Sequence, residues 1–499
     1  MWGGPQAGPV KPVGDADGSR LRDGNTSRMT PFATRLAALV AEDPAAPAVT
    51  DATGTLTRVD LDRRSNRWAR ALEARGVREG DIVSICLPSD ARFLVAAWAV
   101  WKVGATPQPL SSRLVPHELH EILALTQPTF VFDTDLDGWD DFSDAPVAPR
   151  VAPSWKAPTS GGSTGRPKVI LSTSPADADS LEQLAAVLRV RERDVLLTPA
   201  PLHHNGPFLS ASLTLLRGGH VVLMERFDPE HALALIEHHR VGWVYAVPTI
   251  MSRIAKLPVQ VTAAADLTSV HTLFHMAAPC APWLKHWWID RLGADAVWEL
   301  YAGTEVQAIT VISGTDWLQR PGSVGRPLIG EIAILDEAGA PLPTGEIGEV
   351  FLRPSNGLPT YRYLGGTAKA VDGWESLGDL GHLDADGYLY LSDRAADMVL
   401  VGGINVYPAE VEAALDAHPA VASSCVVGLP DEDLGNRLHA VIQLTADLDD
   451  ADLLAFLADR LAPHKRPRTL SRSDVPLRDD AGKVRRSAVR AACLEGVPA

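Results

Sequence analysis

Four stretches of the chain carry residues whose types and spacing could do chemistry. In "TSGGSTGRPK", residues 159–168, Ser160, Gly161, Gly162, Ser163, Thr164 and Gly165 precede Lys168. Glycine permits the positive φ angles and close approach with which backbone N–H groups converge on phosphate oxygens; hydroxyls add donors and Lys168 a charge. The stretch is not a Walker A loop, which needs Gly-Lys-Ser/Thr, nor a GxGxxG dinucleotide loop before a helix. Alone it reads almost as well as a Gly/Ser turn between strands. The others are "ELYAGTE" (299–305), the segment from Trp374 to Glu412 containing "SLGDLG", "LSDRAAD" and "VLVGGINVYP", and "DDAGKVRR" (479–486). Taken singly, they offer a strand-end tyrosine, a turn aspartate, a surface arginine and a turn lysine. "PLHHNGPF" adds His203 and His204, but no third ligand lies at a spacing that would suit a metal.

The surrounding elements must position these groups. "TPFATRLAALV" reads as a helix capped by Thr30 with Pro31 at its first position, and "LDRRSNRWARALEARGV" as a helix stopped by Gly76. Short apolar runs, "DIVSICLP", "TFVFDTD", "DVLLTPAP", "HVVLME" and "GWVYAVP", alternate with helical segments such as "ARFLVAAWAVWKVGA" and "PEHALALIEHHR". That alternation predicts an α/β lobe with largely parallel sheets. From about residue 320 the texture turns to extended, turn-rich segments and a small β region. From about 393 a helix at "PAEVEAALDAH", strands near "SSCVVGLP" and "LHAVIQL" and a helix at "DLLAFLADRLA" form a compact α+β unit.

Bulk properties narrow the classes. A 499-residue chain suggests several domains or two large lobes. The net charge of −16 argues against a nucleic-acid coat or a polybasic membrane surface. Cys86, Cys280, Cys425 and Cys493 form no CxxC pair, which fits a reducing compartment and a cytoplasmic location. No apolar run reaches the ~20 residues of a membrane span. The Gly-, Pro- and charge-rich residues 1–29 read as a disordered leader.

In this order, the four motifs resemble the adenylate-forming superfamily of acyl-CoA synthetases, adenylation domains and luciferases. The resemblance runs over roughly residues 30–490, and "APLHHNGPF", "HMAAPCAPWLKHWW" and "LRDDAGKVRRSAVR" look most like bacterial acid–CoA ligases of the bile-acid and long-chain type. It implies a large N-terminal adenylation lobe (30–392), a hinge (393–397) and a small mobile α+β C-terminal domain (398–499). It further implies ATP, Mg²⁺ and coenzyme A as co-reactants and a small carboxylic acid as substrate. The family commonly assembles as a homodimer.

By that resemblance, Ser160 to Gly165 with Lys168 are the pyrophosphate-side clamp, although Gly161 stands where the family has a hydroxyl. Lys483 bridges the carboxylate and α-phosphate, a role suited to a compact point charge. Glu305 holds Mg²⁺ with Ser163 or Thr164. Tyr301 stacks on adenine, flanked by Ala302, Gly303 and Thr304, while Asp379 and Arg394 contact ribose. His204 stands at the acyl pocket with Ala277 and Ala302, and Gly402 and Gly403 line the thiol tunnel.

Two positions depart from the family's pattern. Ala396 replaces a charged pivot residue, and Ala302 replaces a glycine, which shortens the acyl pocket slightly and favours an aryl or medium-length acid over a rigid sterol acid. The leading reading is an ATP-dependent carboxylate–CoA ligase. The alternative passes the activated acid to a carrier protein, an amine or a small inorganic nucleophile. A luciferase-like oxygenase and a non-catalytic nucleotide binder rank lower, the last because Lys483 and Glu305 are both present.

Overall fold

In the computed structural model, residues 29–133, 135–161, 167–336, 338–394, 397–402, 404–431, 434–479 and 482–495 are described. Residues 1–28 of the leader, Gly162 to Gly165 of the glycine loop, the pivot Ala396 and Gly403 lie outside them, as do the side chains of Ser160, Gly161 and Arg394.

Among the described residues, the main sheet has 14 strands. Its parallel half contains Pro47–Asp51, His220–Leu223, Val195–Thr198, Trp243–Ala246, Thr272–Met276 and Val297–Ala302, paired in that order. The last of these pairs antiparallel with Ile309–Ser313, and from there the sheet continues antiparallel through the β region, strands 323–394. Apolar runs bounded by turns become strands buried on both faces, as in Trp243–Ala246, because helices cover both sides. A second, parallel sheet of three strands is formed by Ile82–Ile85, Thr106–Pro109 and Phe130–Phe132.

The helix Arg58–Ala74 starts at a capping box in which Thr57 and Asp60 exchange hydrogen bonds. Helix Ala91–Lys102 is buried all round, capped by Asp90. The expected Thr30 cap is absent: helix Phe32–Glu42 starts behind Pro31, with no side-chain cap. Thr30 is occupied elsewhere, its hydroxyl donating to Asp179 Oδ2 at 2.8 Å and its N–H to Asp177 Oδ1 at 2.7 Å. The helix begins at Phe32 with Pro31 in the cap position, which leaves Thr30 outside it, and the Thr30 hydroxyl donates instead to a charged acceptor.

Around helix Ala91–Lys102 lies an aromatic core in which Trp101 donates from Nε1 to the Trp155 carbonyl at 2.8 Å. Trp155 stacks on Phe208 with centroids 6.2 Å apart and planes at 7°. Helix Asn205–Leu216 is thereby fixed against the segment leading into the glycine loop.

A separate apolar core, including Val411, Leu415, Leu438, Ala440 and Leu453, organises the C-terminal unit. Helices Pro408–Asp416 and Asp450–Ala458 and strands Val421–Asp431 and Gly435–Leu444 match the expected pattern. Strand Thr469–Arg472 and helix Arg486–Glu495 are additional. Polar contacts among the described residues join this unit to the N-terminal lobe. Lys256 Nζ, just after helix Pro248–Ala255, donates to the carbonyls of Asp416 (2.7 Å) and Val421 (2.5 Å), and Arg485 pairs with Glu118 at 3.3 Å. No helix among the described residues is long and apolar enough to cross a membrane.

Candidate active site

In open α/β sheets, ligands bind in the crevice beyond the carboxyl ends of parallel strands. His203 and His204 follow strand Val195–Thr198, Ala277 follows Thr272–Met276, and Ala302 to Glu305 end or follow Val297–Ala302. All lie along the edge formed by the carboxyl ends of the parallel strands, and Val297–Ala302, the last of these, is where the pairing changes from parallel to antiparallel.

On the antiparallel side, the Tyr301 hydroxyl donates to Asp379 Oδ2 at 2.8 Å. Asp379 lies directly opposite Arg394 in the pairing of strands Trp374–Leu383 and Leu389–Arg394. Three residues from distant motifs are therefore neighbours.

Glu305 is buried, with 5 % of its surface exposed, and does not stand alone. Its Oε1 accepts from the Tyr363 hydroxyl at 2.5 Å, and that hydroxyl accepts from Lys168 Nζ at 2.7 Å. Lys168 stays 3.6 Å from the carboxylate and lies 4.0 Å from the Tyr363 ring centroid. Burial and then the Glu305 charge push the Tyr363 phenol up, so it remains a protonated donor. The Thr360 hydroxyl fixes the Glu305 backbone at 2.6 Å. On the other side, a Cβ at Gly303 would stand 2.7 Å from Glu305 Oε2, so only glycine leaves that oxygen a cradle. A carboxylate oxygen opening onto such a space, beside hydroxyls, suits a small hard cation such as Mg²⁺.

Lys483 reaches this edge from the C-terminal unit. Its turn is closed by the Lys483 N–H donating to Asp479 Oδ1 at 2.8 Å and the Asp479 N–H to the Lys483 carbonyl at 2.9 Å. Gly482 is buried so tightly on the N-terminal lobe that an added Cβ would meet Thr249 Oγ1 at 3.0 Å. The Lys483 charge is felt at His204: burial, and then that cation, lower the imidazole to about 4, so it is neutral at pH 7. His203 lies ring to ring with His204 at 4.1 Å. In this arrangement Gly402, in the hairpin formed by Val399–Val401 and Ile404–Val406, lies against Leu434 and not beside His204.

Sequence motifs missed Tyr363, Lys156 and Tyr245. Tyr363 reaches Glu305 because strand Tyr361–Leu364 pairs with Pro167–Ser172, a contact across almost 200 residues of chain that no local pattern announces. Lys156 is buried, its ammonium hydrogen-bonded to Asn205 Oδ1, and burial lowers it to about 7 despite the opposing pull of Glu305. A charged residue in the otherwise apolar "SWKAP" was the available signal.

The AMP-binding enzyme family model matches residues 36–159 and 157–362, and the model of that enzyme's C-terminal domain matches 410–478. The chain belongs to the AMP-binding enzyme family. Among the family's members, a feruloyl-CoA synthase of Amycolatopsis sp is 32 % identical over 477 residues, covering 90 % of this chain and 96 % of that protein. The o-succinylbenzoate CoA synthetase of Bacillus subtilis, solved with its acyl-adenylate intermediate, superposes with a TM-score of 0.79 at 26 % identity, covering 93 % of this chain and 98 % of the other. An amide bond synthetase of Marinactinospora thermotolerans superposes with a TM-score of 0.76 at 27 % identity, over 92 % and 99 % of the two chains.

Proposed function

We propose that the protein is an AMP-forming acid–CoA ligase. A carboxylate oxygen attacks the α-phosphorus of ATP, forming an acyl-adenylate as the bond to pyrophosphate breaks; the sulfur of CoA then attacks the acyl carbon and AMP leaves. The observation that carries this reading is the docking of the Lys483 turn on Thr249, which brings its ammonium close enough to lower the neutral His204. A point charge between the two reacting anions stabilises the charge that accumulates on phosphate oxygens at the transition state.

The remaining roles follow the same geometry. Asp379, already accepting from Tyr301, serves the ribose hydroxyls while the Tyr301 ring faces adenine. Glu305 is the described carboxylate that would hold Mg²⁺, which when bound neutralises phosphate charge. Lys168, engaged with Tyr363, steadies Glu305. The motions of the C-terminal unit about residues 393–397 exchange Lys483 for the hairpin around Gly402 between the two half-reactions.

The second reading keeps the adenylation and gives the acid to an amine; the similarity to an amide bond synthetase favours it. Acid-dependent pyrophosphate release from MgATP, measured with and without CoA and followed by product mass, tests both. An acyl-CoA product supports the ligase. Acid-dependent pyrophosphate with no thioester shifts the function to the second reading, and none with any acid of a broad panel refutes both.

A further inference from the structure

The first turn of helix Asn205–Leu216 follows His204 directly, and the polar groups gathered around it outnumber the partners they have. Lys156 is 3 % exposed, and its ammonium has one protein acceptor, the neutral Asn205 Oδ1. That leaves two N–H donors on Lys156 without a hydrogen-bond acceptor among the described residues, although the ammonium also lies 4.7 Å from the Trp155 ring centroid, while the amide N–H₂ of Asn205 is half-buried. Tyr245 is 2 % exposed, and its hydroxyl has no hydrogen-bond partner among the described residues. Its place is set by Gly206, where an added Cβ would stand 2.7 Å from both the hydroxyl oxygen and Cε2. Any other residue at 206 would drive the hydroxyl off the helix.

Unspent buried donors are costly, and an apolar pocket for a plain fatty acid has no use for them. Lys156 is also held rigidly: the Trp101–Trp155 hydrogen bond and the Trp155–Phe208 stack tie its backbone to the same helix. Such rigid placement is what a recognition contact needs. The helix N-terminus adds a favourable field for negative or acceptor atoms.

Resting on the ligase reading above, we propose that Tyr245 and the Lys156–Asn205 pair form a donor-bearing wall of the acyl pocket. The acid activated here then carries a second oxygen function, such as a hydroxyl or a carbonyl, that accepts hydrogen bonds from that wall. Burial raises the Tyr245 phenol, which keeps it a neutral donor, and lowers Lys156, which an arriving acceptor would relieve.

The test uses matched pairs of acids that differ by one oxygen: benzoate with 3- and 4-hydroxybenzoate, cinnamate with 4-hydroxycinnamate, and 4-phenylbutyrate with its 4-oxo analogue. Acid-dependent pyrophosphate release by the full-length protein gives kcat/KM for each. The wild type is expected to favour at least one oxygenated partner by about tenfold or more, the worth of a hydrogen bond to an otherwise unpaired buried group. In Tyr245→Phe that ratio should collapse towards one, through KM for the oxygenated acid more than through kcat. Lys156→Met, which keeps the buried volume, should lower the same ratio and gives an independent reading if the first variant folds poorly. Turnover without any such preference, or a preference that survives both variants, overturns this inference alone. Turnover with no acid, in this set or a wider panel, overturns the ligase reading and this inference together.

Discussion

Lys256→Met should loosen the grip between the two lobes without touching the reacting groups. In the structure its ammonium closes on the carbonyls of Asp416 and Val421 at 2.7 and 2.5 Å, at the carboxyl end of helix Pro408–Asp416. Hydrogen bonds to a charged donor contribute about 1.5–3 kcal/mol each, and a cation at a helix carboxyl terminus about 0.3–1 kcal/mol more. The site is partly exposed, and water can take over both carbonyls once the lobes part, so about 2 kcal/mol is a reasonable net loss for the docked state. That corresponds to a shift of roughly thirtyfold in the ratio of docked to undocked molecules. Met also removes the ammonium 5.3 Å from the Trp283 ring centroid, a contact within the N-terminal lobe that bears on docked and undocked molecules alike. Donor and acceptor dyes placed on the two lobes would read the distance distribution directly. On the proposed role of Lys483, pyrophosphate–ATP exchange should fall, whereas CoA-dependent consumption of preformed adenylate should fall less or rise. An unchanged distance distribution together with unchanged exchange would refute the assignment of Lys256 as a latch.

Three further outcomes follow. Lys483→Ala should depress adenylation by 10²-fold or more, the usual scale for removing a charge aimed at the transition state, and Lys168→Ala by less; single-turnover acyl-adenylate formation ranks the two, and the reverse order would overturn the division of labour. Lys156→Met should raise thermal stability, since replacing a buried charge by an apolar side chain of similar volume is neutral or stabilising by about 1–4 kcal/mol; a lower melting temperature would mean that the ammonium is structural. His204 has a folded value of about 4 against an ordinary 6.5, so between those values the unfolded chain binds the extra proton and stability falls as pH drops through that window. His204→Phe should flatten the part of the melting-temperature profile between pH 4 and 6.5 that this residue contributes, while a profile unchanged from wild type would place the histidine in water.

How much was legible depended on how local the cause was. Helix Ala91–Lys102 and strand Trp243–Ala246 were readable because their apolar runs and turn-forming borders lie within a dozen residues. The Thr30 cap failed because the helix begins one residue later, with Pro31 in the cap position, and Thr30 is held outside it by Asp177 and Asp179, almost 150 residues away. The ordered motifs point to Tyr301, Glu305, Asp379 and Lys483 as a group; among them Tyr301 and Asp379 share a hydrogen bond, and the Lys483 charge reaches His204. Tyr363, Lys156 and Tyr245 escaped, since each gains its meaning from a partner supplied by tertiary packing: strand pairing for Tyr363, aromatic stacking for Lys156 and a close glycine for Tyr245.

The turn that carries Lys483 meets the N-terminal lobe through the bare backbone of Gly482 on Thr249. The groups proposed to read the acid, Lys156, Asn205, Tyr245 and Ala302, all come from the other lobe. On these proposals, choice of the acid and delivery of Lys483 belong to separate parts of the chain. Variation in one can retune which acid is accepted while the lysine is delivered unchanged, and variation in the other can alter the pace of adenylation while the menu stays fixed.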